Sequence, residues 1–282
     1  MRTLKFEPQL KNKKGQTVMR ITCKFGGTSL ATAENINIAK GIVYAKPERS
    51  LVVVSAPGKR FDGDTKITDL LYQFPESWSE IEGRFLLLAN QLNAPINMQN
   101  ILDETKMQMM ENNCTEFNLS RGEYLSARLM AAHLGFEFLD AIEIIEFDEC
   151  GINLEKTRKN AEKHVKNSKN YVIPGFYGVL NGKVKILPRG GSDVSGAIVA
   201  NIFGCEVYEN WTDVNGFMTS DPRTNSAATT ISKMSYNQCK KLSLAGANVL
   251  YHSAVDYAET RNISILNRNT FNPAFAGTKI GK

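Results

Sequence analysis

Two glycine-rich turns carry the residues of this sequence best suited to chemistry. The first is Lys24-Phe25-Gly26-Gly27-Thr28-Ser29 and the second is Arg189-Gly190-Gly191-Ser192-Asp193. Glycine lets a backbone approach a phosphate closely. The free N–H groups at a helix start converge on a point where the helix dipole favours an anion. Lys24 adds a mobile positive charge to the first turn, and Arg189 carries a guanidinium fork that matches a carboxylate. The first turn is not a P-loop, because its lysine precedes the glycines and the spacing G-x-x-x-x-G-K-[ST] is absent. The same residues also fit plainer roles. Lys24 can be a solvated lysine on a tight turn, and Ser29 and Asp193 can cap helices. Ser120 and Glu123 have the spacing of a capping box.

Each turn needs a strand to deliver it and a helix to receive it. Val18 to Cys23 reads as a strand, and Ile36, Ala39, Ile42 and Val43 share one face of a helix that Pro47 ends. Leu51 to Val54 is a β-branched run suited to a buried parallel strand, opening into Ser55-Ala56-Pro57-Gly58. Thr68 to Leu71 starts another helix, and Pro75 to Asn113 reads as helical insertion without strands. Ser120 to Glu123 begins an amphipathic helix through Leu125, Leu129 and His133, closed by Gly135. Phe136 to Ala141 is strand-like, Asn153 to Lys166 is a polar surface helix, and Tyr171 to Ile173 is a strand. Asn181-Gly182 between apolar flanks predicts a hairpin. The second glycine turn feeds a helix through Ile198 and Ile202 that stops at Gly204; Cys205 to Trp211 is the next strand. A long polar loop follows, then helices near 236–244 and 253–260 and a final strand at 263–266. Strand–helix–strand order with long crossovers implies a parallel α/β sheet.

Composition sets the outer limits. The chain has 282 residues, 42% of them hydrophobic and 22% charged, enough to bury a large core. A formal net charge of +5 with interspersed signs suits an anionic small molecule and gives no reason to expect nucleic acid. Cys23, Cys114, Cys150, Cys205 and Cys239 are scattered without a C-x-x-C pair, which suggests reduced thiols rather than disulfides or zinc. His133, His164 and His252 are isolated, and helix-surface or core roles suit them better than catalysis. No apolar run is long enough for a membrane span, and residues 1–17 read as a polar leader outside the core.

Taken together, the two glycine turns, Glu123 and the loop Thr212-Asp213 to Asp221-Pro222-Arg223 stand in the order found in aspartokinases. Over residues 19–280 the sequence resembles an aspartokinase catalytic domain of the amino acid kinase (carbamate-kinase-like) family. The resemblance implies a three-layer α/β/α sandwich with a mostly parallel central sheet. It implies one catalytic domain at 18–282, with an amino-acid lobe at about 18–187 and a nucleotide lobe at about 188–282. It implies transfer of phosphate from Mg-ATP to L-aspartate, with the magnesium carried by ATP and no other metal, in the cytoplasm. Partners of the protein itself would be a homo-oligomer or a separate regulatory chain. Aspartokinases usually continue into paired ACT domains; this sequence ends at Lys282, and the expectation is a catalytic domain without them. The alternatives are a glutamate- or acetylglutamate-type kinase of the same family, or a catalytically weak ligand-binding paralogue.

The roles that follow belong to the resemblance. Lys24 and Asp193 would be catalytic, the lysine neutralising the phosphoryl group and the acid orienting it. Ser55, Thr68, Glu123, Arg189, Gly190, Gly191 and Ser192 would bind the amino acid, with Glu123 on its ammonium and Arg189 on its carboxylate. Lys24, Phe25, Gly26, Gly27, Ser29, Thr212, Asp213, Phe217, Met218, Asp221, Arg223, Asn248 and Val249 would bind ATP. Relatives often have tyrosine at the place of Met218 and lysine at the place of Asn248, and the loss of that lysine removes one phosphate contact.

Overall fold

The computed structural model describes residues 10–11, 17–112, 114–166, 168–188, 190–220, 227–247 and 249–282. Arg189, Asp221, Arg223 and Asn248, with most of the expected leader, lie outside the described residues. In chain order the elements begin with β1 (Leu10–Lys11) and β2 (Thr17–Val18), an antiparallel pair, and β3 (Ile21–Phe25). A single 3-10 turn at Thr28–Leu30 leads to α1 (Ala33–Tyr44), β4 (Arg49–Val54) and α2 (Ile67–Leu71). The helical insertion is α3 (Trp78–Gln91) and α4 (Met98–Asn112), followed by the long α5 (Thr115–Leu134). Then come β5 (Glu137–Phe138), α6 (Ala141–Ile144), β6 (Phe147–Asp148), β7 (Gly151–Ile152), α7 (Leu154–His164) and β8 (Tyr171–Pro174). The hairpin β9 (Tyr177–Leu180) and β10 (Lys183–Ile186) precedes α8 (Gly191–Ile202) and β11 (Val207–Thr212). The chain closes with β12 (Lys233–Met234), α9 (Tyr236–Leu244), α10 (His252–Glu259), β13 (Ser264–Asn269) and β14 (Thr278–Ile280).

Eight strands form the central sheet in the order β12-β14-β13-β11-β3-β4-β8-β5, and β13–β14 is the one antiparallel contact within it. The β-branched composition of β4 fits its place at the centre, where all its residues are buried. Alternation across the pleat divides the core into two layers. Cys23, Phe25, Val52, Val54 and Trp211 pack with helices α1 to α5, while Leu51, Val53, Ile173, Tyr208 and Ile265 pack with α6 to α10. The result is the three-layer α/β/α sandwich.

Several boundaries differ from the sequence reading, and β14 (Thr278–Ile280) follows the strand expected to be the last. β3 starts at Ile21 rather than Val18, because Val18 pairs with Leu10 in the separate β1–β2 pair. The strand-like run after Gly135 is a strand only at Glu137–Phe138, with Leu139 N still donating to Val172 O at 3.0 Å; Asp140 then accepts from Ile142 N at 3.2 Å and turns the chain into α6. The long helix α5 begins at Thr115, with Cys114 at its N-cap, so Ser120 and Glu123 lie inside the helix and form no capping box. The Ser120 hydroxyl instead donates to Phe117 O at 2.6 Å, a bond back into its own helix. Gly135 closes α5 with φ 62, as the sequence predicts.

Candidate active site

Strand register gathers the candidate residues. Phe25 pairs with Val54 and with Trp211, and Val54 pairs with Pro174. Gly26, Ser55, Gly175 and Thr212, the residues next to these pairs, therefore lie along one edge of the sheet. From β3 the chain passes through α1 to β4 on one side; from β8 it passes through α8 to β11 on the other. Such a reversal leaves a crevice outside the carboxyl ends of the strands. It holds a cleft of about 530 Å³ lined by Lys24, Ser55, Thr68, Glu123, Ser192 and Asp193, with Gly27, Gly190 and Gly191 as its backbone walls.

Lys24 leaves the end of β3 and places its Nζ 2.6 Å from Asp193 Oδ1 in the first turn of α8. Asp193 is not an N-cap; its Oδ2 accepts from Tyr251 N at 3.2 Å, and its carboxylate sits near the positive end of α8. Gly190 precedes α8 with φ 78 and offers no side-chain cap. A Cβ there would fall 2.5 Å from Tyr251 Cβ, so glycine is required twice over. Glu123 reaches the cleft from α5 and is 4% exposed. Burial pushes its carboxyl up from 4.5 to about 8, against the main chain of Ala56 and the charges of Lys24 and Arg121. Its Oε2 has no hydrogen-bond partner, leaving a buried acceptor that a ligand cation would satisfy.

The two glycines of the first turn differ. A Cβ on Gly26 would meet only Lys24 Nζ and Trp211 O at 3.6 Å, ordinary contacts. One on Gly27 would stand 2.9 Å from Ala56 O, and one on Gly58 would stand 2.8 Å from Gly27 C. Gly58 N donates to Gly27 O at 2.9 Å, so the loops after β3 and β4 touch backbone to backbone. That approach, and the cleft-lining Lys59, Lys66 and Phe176, escaped the sequence reading. The only hint was Gly58 directly after Pro57, read there as a loop opening.

Other expected residues lie elsewhere. Phe25 is fully buried and stacks on Trp211 with centroids 6.2 Å apart, so only its backbone can face a ligand. Ser29 is buried with its Oγ 2.7 Å from Thr270 Oγ1, and Thr32 rather than Ser29 caps α1 by accepting from Asn35 N. Phe217 belongs to the core layer under α8 to α10. Thr212 Oγ1 accepts from Val214 N at 3.3 Å, Asp213 is exposed, and Met218 is half-buried and bridged to Thr230. Val249 O accepts from Asn210 Nδ2 at 3.5 Å. A second recess of about 490 Å³ shares Gly190 and Asp193 with the cleft and continues along Ala247 and Leu250, on either side of Val249.

A cleft with a lysine–carboxylate pair, an uncapped helix start and a buried acid suits an anion on one side and an ammonium on the other. The profile of the Amino acid kinase family matches residues 19–267. The chain belongs to this family. Among family members, Aspartokinase 3 of Bacillus subtilis is 31% identical, the alignment covering 91% of this chain and 62% of the relative. The aspartokinase of Chlamydia pneumoniae is 33% identical, over 92% of this chain and 62% of its own length. The crystal structure of the aspartate kinase from Clostridium acetobutylicum superposes with a TM-score of 0.87 at 38% identity, covering 94% of this chain and 63% of that one. The chain thus spans 62% of the length of these two curated relatives. Among the described residues, no helix is long and apolar enough to cross a membrane.

Proposed function

We propose that this chain is the kinase unit of an aspartate kinase, transferring the γ-phosphoryl group of ATP to the side-chain carboxylate of L-aspartate. The observation that carries the reading is the meeting of Lys24–Asp193 with the buried, half-satisfied Glu123 in one cleft. Similarity to aspartokinases of three organisms supports the choice of amino acid. A carboxylate oxygen of aspartate attacks the γ-phosphorus, the bond from phosphorus to the bridging oxygen breaks, and 4-phospho-L-aspartate and ADP result. The acceptor is already ionised, so no general base is required, and catalysis consists of positioning and charge stabilisation. Lys24 neutralises the phosphoryl oxygens in flight, and the free N–H groups at the start of α8 take the same charge. Asp193 holds Lys24 in place. Glu123 receives the substrate ammonium and Arg189 its α-carboxylate, with Ser55, Thr68, Gly190, Gly191 and Ser192 around them.

The nucleotide belongs to the lobe at about 188–282, where the recess beside Val249 is large enough to admit part of it, and Gly26, Gly27, Thr212, Asp213, Met218, Asp221, Arg223 and Asn248 are its candidate contacts. Magnesium travels with the nucleotide and supplies further charge neutralisation. In this reading the reaction opens the route to lysine, threonine and methionine, in the cytoplasm, and the protein works as a homo-oligomer or with a regulatory chain. Calorimetric titration with L-aspartate in the presence of Mg-ADP tests the assignment. Wild type should bind, and Arg189→Lys should weaken aspartate by roughly ten- to a hundredfold while nucleotide affinity stays within twofold, because a point charge cannot replace the guanidinium fork. Equal loss of both ligands would remove Arg189 from the amino-acid pocket.

A further inference from the structure

The connection between β4 and α2 is longer than a turn needs to be, and it is tied rather than loose. Its neck closes where Ile67 N donates to Pro57 O at 3.4 Å, against the Gly27 turn. The residues between form a compact Ω-shaped loop. Inside it Asp64, 6% exposed, works as a clasp. Its Oδ2 accepts from Arg60 N at 2.9 Å and from Arg60 Nε at 2.8 Å, and its Oδ1 from Arg60 Nη2 at 2.8 Å. Arg84 of α3, equally buried, donates to the same Oδ1 and, at 2.6 Å, to Thr65 O. A carboxylate shared by two guanidinium groups anchors the loop to the helical insertion with charge-assisted bonds. Two lysines, Lys59 and Lys66, flank the clasp at the neck, and both line the cleft.

Charge within the cleft is unevenly matched. Lys24 is already paired with Asp193. Among the described residues, Lys59 and Lys66 are exposed ammonium groups of the cleft without an ion pair. We infer that Lys59 and Lys66 form a cationic rim that recognises the carboxylates of the amino-acid acceptor, and that Asp64 is the residue that positions this rim through Arg60 and Arg84. The inference rests on the aspartate kinase reading and assigns its acceptor specificity to a loop outside the two glycine motifs. An amino acid with two carboxylates and a net charge of −1 gains from two added positive charges at the mouth, and one with no net charge gains far less. A purely structural clasp would leave the lysines without consequence.

Steady-state phosphorylation of L-aspartate by the intact chain separates the two. Lys59→Met/Lys66→Met should raise the KM for aspartate about tenfold, lower kcat by less than about threefold and leave the KM for ATP within about twofold. The KM difference should shrink between 0.05 and 0.5 M salt, where screening shortens the reach of exposed charges to about 3–15 Å. Asp64→Asn should raise the same KM and add less than about twofold in the double-lysine background, because both changes act on one feature. Asp64→Glu, which keeps the charge, should fall between Asp64→Asn and wild type. Unchanged aspartate KM in the double-lysine variant would overturn the rim. A lowered Tm without a KM change in Asp64→Asn would overturn the positioning role. If wild type neither binds nor phosphorylates aspartate, the proposed function falls and takes the rim with it; if wild type is active and the variants match it, the rim alone falls.

Discussion

Two ion-handling side chains decide what the cleft can do. Lys24 and Asp193, with side chains 7% and 15% exposed, share a 2.6 Å contact, so removing either strands a largely buried charge. Lys24→Met should therefore lower stability by up to about 3 kcal/mol and lower kcat by about 100-fold or more, because the phosphoryl oxygens lose their cation. Adding Asp193→Asn should recover much of the Tm and none of the turnover. Recovery of both, read by thermal unfolding and initial rates, would make the pair structural only. Glu123 gives a pH signature. Its folded carboxyl titrates near 8 against an ordinary 4.5, so the folded protein binds the extra proton. Stability from this group is complete below 4.5 and is lost as pH rises through 8, and Glu123→Gln should flatten that decline. In the proposed role, binding has the opposite slope, since a substrate ammonium would need the anion. The KM for aspartate should fall as pH rises from 6 to 8, by at most about tenfold per unit. A KM independent of pH over that range, in a wild type that Glu123→Gln impairs, would contradict the assignment.

At the level of elements, the touching turns make a sharper forecast than either motif. Gly26→Ala should leave Tm unchanged, because its Cβ meets nothing closer than 3.6 Å. If phosphate approaches Lys24 as proposed, the substitution should still lower kcat/KM for ATP about tenfold, since that methyl stands beside Lys24 Nζ. Gly27→Ala should destabilise by about 1–3 kcal/mol, the methyl being driven into Ala56 O at 2.9 Å. Equal thermal shifts in the two variants would show that the loops do not pack as described. The sequence could display both glycine pairs and the strand-turn-helix order around them, because those signals are local. It could not display the Gly27–Gly58 contact or the Lys24–Asp193 pair, which exist only once β3, β4 and β8 lie side by side. Glu123 shows how a local signal misleads: Ser120-x-x-Glu123 has capping spacing, yet the helix starts earlier, at Thr115 after Cys114, and the acid is buried mid-helix. Phe25, Ser29 and Phe217 sat inside motifs, and alternation or burial turned each away from the cleft. Lys59 and Lys66 sat in a loop whose clasp joins Asp64 to Arg84 on another element, so nothing local announced them.

Across the whole molecule, the sheet holds the site by running unbroken through both halves of the chain. β3, β4, β5 and β8 precede α8 in the chain and β11, β12, β13 and β14 follow it, and β3 pairs with β11 where the two sets meet. A buried network under α1 ties them together: Glu209 on β11 bonds Arg49 of β4 at 2.8 Å and Trp211 Nε1 at 3.0 Å, and Arg268 of β13 stacks on the Trp211 ring at 4.5 Å. Breaking such a buried pair costs more than breaking an exposed one. On that sheet the cleft and the second recess meet at Gly190 and Asp193, the arrangement that the proposed direct phosphoryl transfer requires. The central claim is that the acceptor is the side-chain carboxylate of L-aspartate, and chemical trapping tests it most directly. The chain is incubated with Mg-ATP, hydroxylamine and, in turn, L-aspartate, L-glutamate and N-acetyl-L-glutamate, and the hydroxamates are identified by mass. The account predicts aspartate β-hydroxamate in step with ADP release, lost in Lys24→Met, and no comparable product from the other two acids. A hydroxamate from glutamate or N-acetylglutamate at an equal or greater rate, or ADP release without any hydroxamate, would contradict it.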